Sequence, residues 1–205
     1  MKLFITGIST DVGKTIASSI IVQALEADYW KPIQAGDLKH SDSHKVKSYI
    51  NNSKTQIHAN SYRLQTPASP HLAAKIDGIT IDLKNVLEPD TQNHLVIEGA
   101  GGILVPLNET ETIVDLIQKD YKIILVSRHY LGSINHTLLT FEALKNRNLK
   151  LHGIIFSGNE NKPSEEIILE KTNAKFIGRI DDEPYFDQSV IQYYADLFRE
   201  NLLNL

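Results

Sequence analysis

Nine residues near the amino terminus, Gly7-Ile8-Ser9-Thr10-Asp11-Val12-Gly13-Lys14-Thr15, have the composition of a loop that grips phosphate. Such a loop needs a glycine where the backbone approaches phosphate oxygens, and free N–H groups at the start of the helix that follows. It also needs a lysine for the terminal phosphates of ATP and a hydroxyl for the Mg²⁺ that accompanies them. Gly13, Lys14 and Thr15 supply these groups. The usual spacing leaves four residues between the first glycine and Gly-Lys-Ser/Thr, whereas here Ile8 to Val12 make five. The insertion argues against a kinase-type loop and for one in which Thr10 or Asp11 also faces the ligand.

A second cluster, Val96-Ile97-Glu98-Gly99-Ala100-Gly101-Gly102, sets an acid at the end of an apolar run and follows it with glycines. Mg²⁺ on ATP takes one or two carboxylates beyond the loop hydroxyl, and Glu98 stands where such an acid is expected. The glycines would form a turn close beside the ligand. A plainer reading has Glu98 capping that turn. Asp42, in Ser41-Asp42-Ser43, is another candidate metal acid, although the tripeptide is a common helix N-cap and the local sequence favours capping.

These groups can act together only if regular elements deliver them to one place. Leu3–Thr6, His94–Glu98, Lys122–Ser127 and Leu151–Phe156 read as strands, with Lys175–Ile180 a weaker one. Lys14 to Ala27, Ile113–Lys119, Ile134–Asn146 and Glu165–Thr172 have helical spacing. Gln188–Leu203 would be an amphipathic closing helix with Val190, Ile191, Tyr194, Leu197 and Phe198 on one face. Strands apolar throughout, alternating with helices, predict an α/β fold with a mainly parallel sheet covered on both faces. Ligands of such folds sit at the carboxyl ends of the strands, where the unusual residues cluster. Gln34–Ala68 is the least regular stretch. No repeat or linker divides the chain, so residues 1–205 are expected to form a single domain.

The 205 residues carry a formal net charge of −4, which gives no reason to expect nucleic acid or an acidic membrane as partner. There is no cysteine, so thiolate chemistry and disulfides are excluded. The start, Met1-Lys2-Leu3-Phe4-Ile5-Thr6, lacks a signal-peptide pattern, and no apolar run is long enough to span a bilayer. The expected location is the cytoplasm.

Six separated segments, in order, resemble the dethiobiotin synthetases. They are Gly7–Thr15 with its insertion, Trp30–Gly36, Ser41-Asp42, Thr66–His71, Glu98–Gly102 with Val105-Pro106-Leu107, and Leu131–His136. The match runs from residue 1 to about 160 and more loosely beyond. The resemblance implies a P-loop NTPase-type fold and an ATP- and Mg²⁺-dependent ligase of biotin synthesis. Its substrates would be 7,8-diaminononanoate (7,8-diaminopelargonate), CO₂ or bicarbonate, and ATP, and it would act as a homodimer with substrate near the interface.

The resemblance also assigns roles. Lys14 and Lys31 would be catalytic cations, though without it Lys31 reads as a surface lysine beside a turn proline. Thr15, Asp42 and Glu98 would surround Mg²⁺. ATP would further meet Asp11, Val12, Gly13, Ile16, Gly99, Ala100 and Gly101, with Asn159 reading the base and Ile180, Asp181 and Asp182 alongside. Substrate would meet Thr10, Lys31, Ala35, Ser69, Pro70, Val105 and Pro106. The N-terminal end of a helix at Gly132, Ser133, Ile134 and Asn135 would receive its carboxylate across the dimer, although Ser133 could simply cap that helix. His71 is a candidate proton acceptor, while Ser69-Pro70 also reads as a turn with proline in the first helical position.

The chain departs from the family pattern in three places. Ala35 stands where members often carry Ser or Thr, Asp11 replaces the more usual Glu, and Asp37–His40 is a shortened connection. Two other readings fit the residues less well. A ParA/MinD-like switch ATPase would carry an additional lysine early in the loop, and none precedes Lys14 within it. A small-molecule kinase would show an arginine-rich lid, and arginine is scarce between Lys14 and Arg128.

Overall fold

A computed structural model describes residues 1–205. Six strands form one parallel sheet: β1 (Lys2–Gly7), β2 (Asp28–Trp30), β5 (Leu95–Gly102), β6 (Lys122–Arg128), β7 (Leu151–Ser157) and β8 (Lys175–Ile180), in the order β2-β5-β1-β6-β7-β8. Two short strands, β3 (Ile33–Ala35) and β4 (Tyr62–Leu64), pair in parallel as a separate ribbon. Because β5 and β6 lie on opposite sides of β1, the connections diverge at its carboxyl end, the place where parallel α/β sheets hold ligands.

Period-two alternation sends successive side chains of each strand to opposite faces. Leu3, Ile5, Val96, Ile124 and Val126 pack with α1 (Lys14–Leu25) and α6 (Gln188–Leu203). On the other face, Phe4, Leu95 and Ile97 meet α3 (Pro70–Asp77). Ile123, Leu125, Ile154 and Phe156 pack beneath α4 (Ser133–Lys145) and α5 (Lys162–Thr172). The helix α1 is buried from Ala17 to Leu25, its small Ser18 and Ser19 and the hydrogen-bonded Gln23 lying among apolar side chains. It is capped by Gly13 in the left-handed conformation, φ 94°, which costs a glycine little and places the first amides of α1 at the end of β1. Gly178 serves a different purpose: a methyl there would lie 2.1 Å from the Phe198 ring, so glycine is what allows α6 to lie flat on β8.

The expected strands and most helices are present, with informative differences. Lys175–Ile180 is a full strand rather than a weak one. Only Ile113–Leu116 of the Ile113–Lys119 segment is helical, as a short 3₁₀ turn whose first amides, those of Ile113 and Val114, donate to the Val105 and Ile103 carbonyls and tie it to the chain after β5. Leu197 is 55% exposed and does not share the buried face of α6, which runs through Ile191, Tyr194, Ala195, Phe198 and Leu202. The irregular Gln34–Ala68 stretch contains α2 (Asp42–Tyr49), a polar helix with Val46 alone buried, so apolar periodicity gave no sign of it. Gly99–Gly102 continues β5 rather than turning after Glu98.

Candidate active site

Four elements converge at the carboxyl ends of β1 and β5. The loop from Ile8 to Gly13 leaves β1 and enters α1, which presents Lys14 and Thr15; β5 ends with Glu98; the Trp30–Ile33 junction brings Lys31; α2 brings Asp42. Between them lies a cleft of about 1440 Å³. That is larger than the roughly 300–1,000 Å³ that holds one drug-sized ligand, so it has room for a nucleotide and a second substrate together.

At the centre, Lys31 Nζ lies 2.8 Å from Asp42 Oδ2 and 2.9 Å from Glu98 Oε1, and Thr15 Oγ1 donates to the same Glu98 oxygen at 3.0 Å. Lys31 is 4% exposed and Glu98 1%. Burial alone would lower the Lys31 ammonium, but Glu98 and Asp42 outweigh it and hold the lysine above its ordinary range. Burial works against the Asp42 carboxylate too, and Lys31, with help from Lys45 and Thr15, keeps it below the usual value. Lys14 has no carboxylate within bonding distance and donates to Ser9 O at 3.0 Å. Burial pushes it down to about 8, against the pull of Glu98 and with the repulsion of Lys31. A buried cation paired this poorly is prepared for an incoming anion.

Thr15, Asp42 and Glu98 together offer one hydroxyl and two carboxylates, the hard oxygen donors that Mg²⁺ selects, and a cationic group already sits among them. The donor set fits the ion.

Asp11, Gly13, Lys14, Thr15, Ile16, Asp42, Glu98, Ala100 and Gly101 all line the cleft, as do Ile180, Asp181 and Asp182 at its outer end. So do Thr10, Ala35, Ser69, Pro70, Val105 and Pro106. Other expected residues fall elsewhere. Val12 is a core residue whose side chain packs in the α1 layer, and Gly99 lies behind the cleft over the Phe4 ring. Asn159 is exposed and outside the cleft wall, because Gly158 turns the chain away as it leaves β7. Gly132, Ser133, Ile134 and Asn135 do not line it either; the wall takes His136, Leu139, Thr140 and Ala143, further along α4. Ser133 does not cap that helix, since Gly132 at φ 104° occupies the cap. Likewise Ser41, not Asp42, caps α2, in a reciprocal box with His44, which leaves the Asp42 carboxylate for Lys31. His71 is exposed and lies outside the cleft.

Three contributors escaped the sequence reading. Gln34, buried against the cleft, donates to Gly36 O at 3.0 Å and accepts from the Asp42 amide at 3.3 Å, steadying the start of α2. Arg128 pairs with Asp182 at 3.0 Å at the outer end. Tyr29 is fully buried and donates to Glu98 Oε2 at 2.9 Å. Its spacing of two from Lys31, where the chain leaves β2, was the available sign that both side chains share a face.

A central parallel strand that ends in a Gly-Lys-Thr loop, with a buried acid at the end of its neighbour, defines a phosphate-loop nucleotide-binding protein. The solved structures that resemble it agree in fold: a chain of the MinC:MinD cell division protein complex of Aquifex aeolicus has a TM-score of 0.60 over 100% of this chain and 96% of its own, at 13% identity. A ParA family ATPase from Chlorobium tepidum reaches 0.60 over 99% of each chain at 10% identity. At those identities only the architecture is shared.

A family profile described as an AAA domain matches residues 1–189. The ATP-dependent dethiobiotin synthetase BioD of Christiangramia forsetii is 56% identical over 98% of both chains. The enzyme of the same name from Cytophaga hutchinsonii is 49% identical over 95% of both. The chain belongs to the dethiobiotin synthetase family. The switch-ATPase reading therefore retains only the fold in its favour.

Proposed function

We propose that this chain makes dethiobiotin by closing a cyclic urea on 7,8-diaminononanoate with CO₂ and ATP, releasing ADP and phosphate. Its membership among ATP-dependent dethiobiotin synthetases supports the activity. The observation that carries the mechanism is Lys31, a buried ammonium opposite the phosphate loop, where a second anion would meet the γ-phosphate.

One amine adds to CO₂, forming a C–N bond and losing a proton, to give a carbamate. A carbamate oxygen then attacks the γ-phosphorus and ADP leaves, which produces a mixed carbamic–phosphoric anhydride. The second amine attacks the carbamoyl carbon, and phosphate departs with the C–O bond electrons and takes up the amine's proton. Little covalent work falls to the protein, which must align anions and neutralise developing charge. Lys14 meets the β- and γ-phosphate oxygens, and Lys31 meets the carbamate and the oxygen it uses in attack. Thr15, Asp42 and Glu98 would hold Mg²⁺, which when bound screens the charge of the terminal phosphates.

The reading extends to a homodimer, working in the cytoplasm as a single domain. Gly132 and Asn135 are exposed at the amino end of α4 and lie outside their own cleft, which suits a role towards a second copy. No helix is long and apolar enough to cross a membrane.

Phosphate release measured with each reactant omitted in turn tests the proposal. Release should require ATP, the diamine and bicarbonate together, and should fall about 10³-fold in Lys14→Ala. Release indifferent to the diamine would remove the substrate assignment and leave the nucleotide site standing.

A further inference from the structure

Glu98 is the acid on which the phosphate end of the cleft depends, and its two oxygens are used differently. Oε1 faces the cleft, where it accepts from Thr15 and Lys31. Oε2 faces inward and accepts from the Tyr29 hydroxyl at 2.9 Å. We infer that Tyr29 is a positioning residue for nucleotide-linked metal: its hydroxyl pins the inner oxygen of Glu98 and leaves one oxygen aimed at the site. The inference rests on the reading of Glu98 as a metal ligand.

Three features of Tyr29 suit it to this work. Its ring is 0% exposed and packs in the layer with Val96, Ala17 and Ile20, so it cannot swing. Its backbone is held from both sides. Tyr29 sits opposite Val96 of β5, two residues before Glu98 on the same face, and on the other side its N–H donates to Gln56 O while His58 N–H donates to its carbonyl. The hydroxyl therefore arrives at a fixed point beside the inner carboxylate oxygen. A carboxylate with both oxygens free can rotate and chelate in either mode; with one committed to a neutral donor it presents a single oxygen in one orientation. Partners of this kind orient metal ligands, and their loss typically costs 10–100-fold in metal affinity.

Tyr29→Phe keeps the ring and removes the bond. With the protein saturated with ADP, Mn²⁺ affinity read by electron paramagnetic resonance should fall about tenfold. ADP affinity in EDTA should stay within about twofold, since Tyr29 does not line the cleft. Tyr29→Leu, which also sacrifices packing, should lose the same factor in Mn²⁺ affinity despite its lower thermal midpoint, so a loss of metal that instead tracks the midpoint across the two variants would count against the inference. Unchanged Mn²⁺ affinity in both, or metal and metal-free ADP affinities falling in parallel, would overturn the inference, because a merely structural tyrosine gives one of those results. Glu98→Gln separates the two layers of the argument. If it too leaves Mn²⁺ affinity unchanged, the ligand reading of Glu98 has failed; if it weakens binding while Tyr29→Phe does not, only the role of Tyr29 has.

Discussion

The cleft has two ends built on different principles. At the inner end Lys14, Lys31 and Glu98 are each 8% exposed or less, and each is anchored within a few residues of a strand end or helix start. At the outer end Arg128 and Asp182 face solvent, and Arg128 meets Asp182 across an exposed ion pair of the sort worth about 0–1 kcal/mol. The contrast shows where the chain commits its geometry before any ligand arrives. The charges proposed to neutralise a transferring phosphoryl group are preorganised in a buried setting, where they would act strongly. Groups that would recognise the rest of the nucleotide or the substrate are left on loops and helix ends.

If that division is right, removing an inner cation should have the largest effect. Lys31→Met is expected to lower kcat by about 10²–10³-fold, since charge on the carbamate and on the transferring phosphoryl group would lose a preorganised partner. It should also weaken the metal-free fold by about 3 kcal/mol, because Asp42 and Glu98 would face each other without their shared cation. Single-turnover kinetics and urea melts in EDTA measure the two. A kcat within tenfold of the parent would erase the distinction between the ends.

A smaller effect sharpens the same comparison through pH. Lys14, usually near 10.5, sits at about 8 in the free protein, so near pH 8.5 a large share of molecules carry it neutral. Bound triphosphate favours the ammonium, raises its pKa, and must therefore draw a proton from solution. ATP binding at pH 8.5 should take up a substantial fraction of a proton. Affinity should weaken as pH rises above 8 and be insensitive to this group below about pH 7. Calorimetry in buffers of different ionisation heat reads the uptake, and Lys14→Arg, charged throughout, should abolish it.

The inner end was also the part most legible in the sequence. Gly7–Thr15 and Glu98 follow apolar strands, so their positions came from the rule that parallel sheets gather function at their carboxyl ends. Lys31 was reached through the family resemblance alone, and Asp42, a local candidate that read better as a cap, was raised to a metal acid by it. Lys31 sits after a three-residue strand, and Asp42 on a helix with one buried side chain, so neither element had an apolar period to betray it. Tyr29 was hard to read for a related reason: its spacing from Lys31 put both on one face, but a buried aromatic in an edge strand looks like core until the neighbouring strand is seen to end in an acid. At the outer end the difficulty lay in backbone conformation. Gly132 takes the cap that Ser133 seemed made for, and the Gly158 turn carries Asn159 out of the cleft, both at positive φ that composition does not announce.

Asn159 therefore gives the smallest and most discriminating prediction. It is an exposed side chain outside the cleft wall, whose outer end is bounded instead by Ile180, Asp181 and Asp182. Asn159→Ala should change the KM for ATP by less than about twofold, as substitutions at free surface positions do. Asp182→Ala, which opens the cleft wall and releases Arg128, should change it more. A tenfold rise in Asn159→Ala would mean that the loop after β7 turns inward when nucleotide arrives. The outer end would then be assembled by its ligand, whereas the inner end is built in advance.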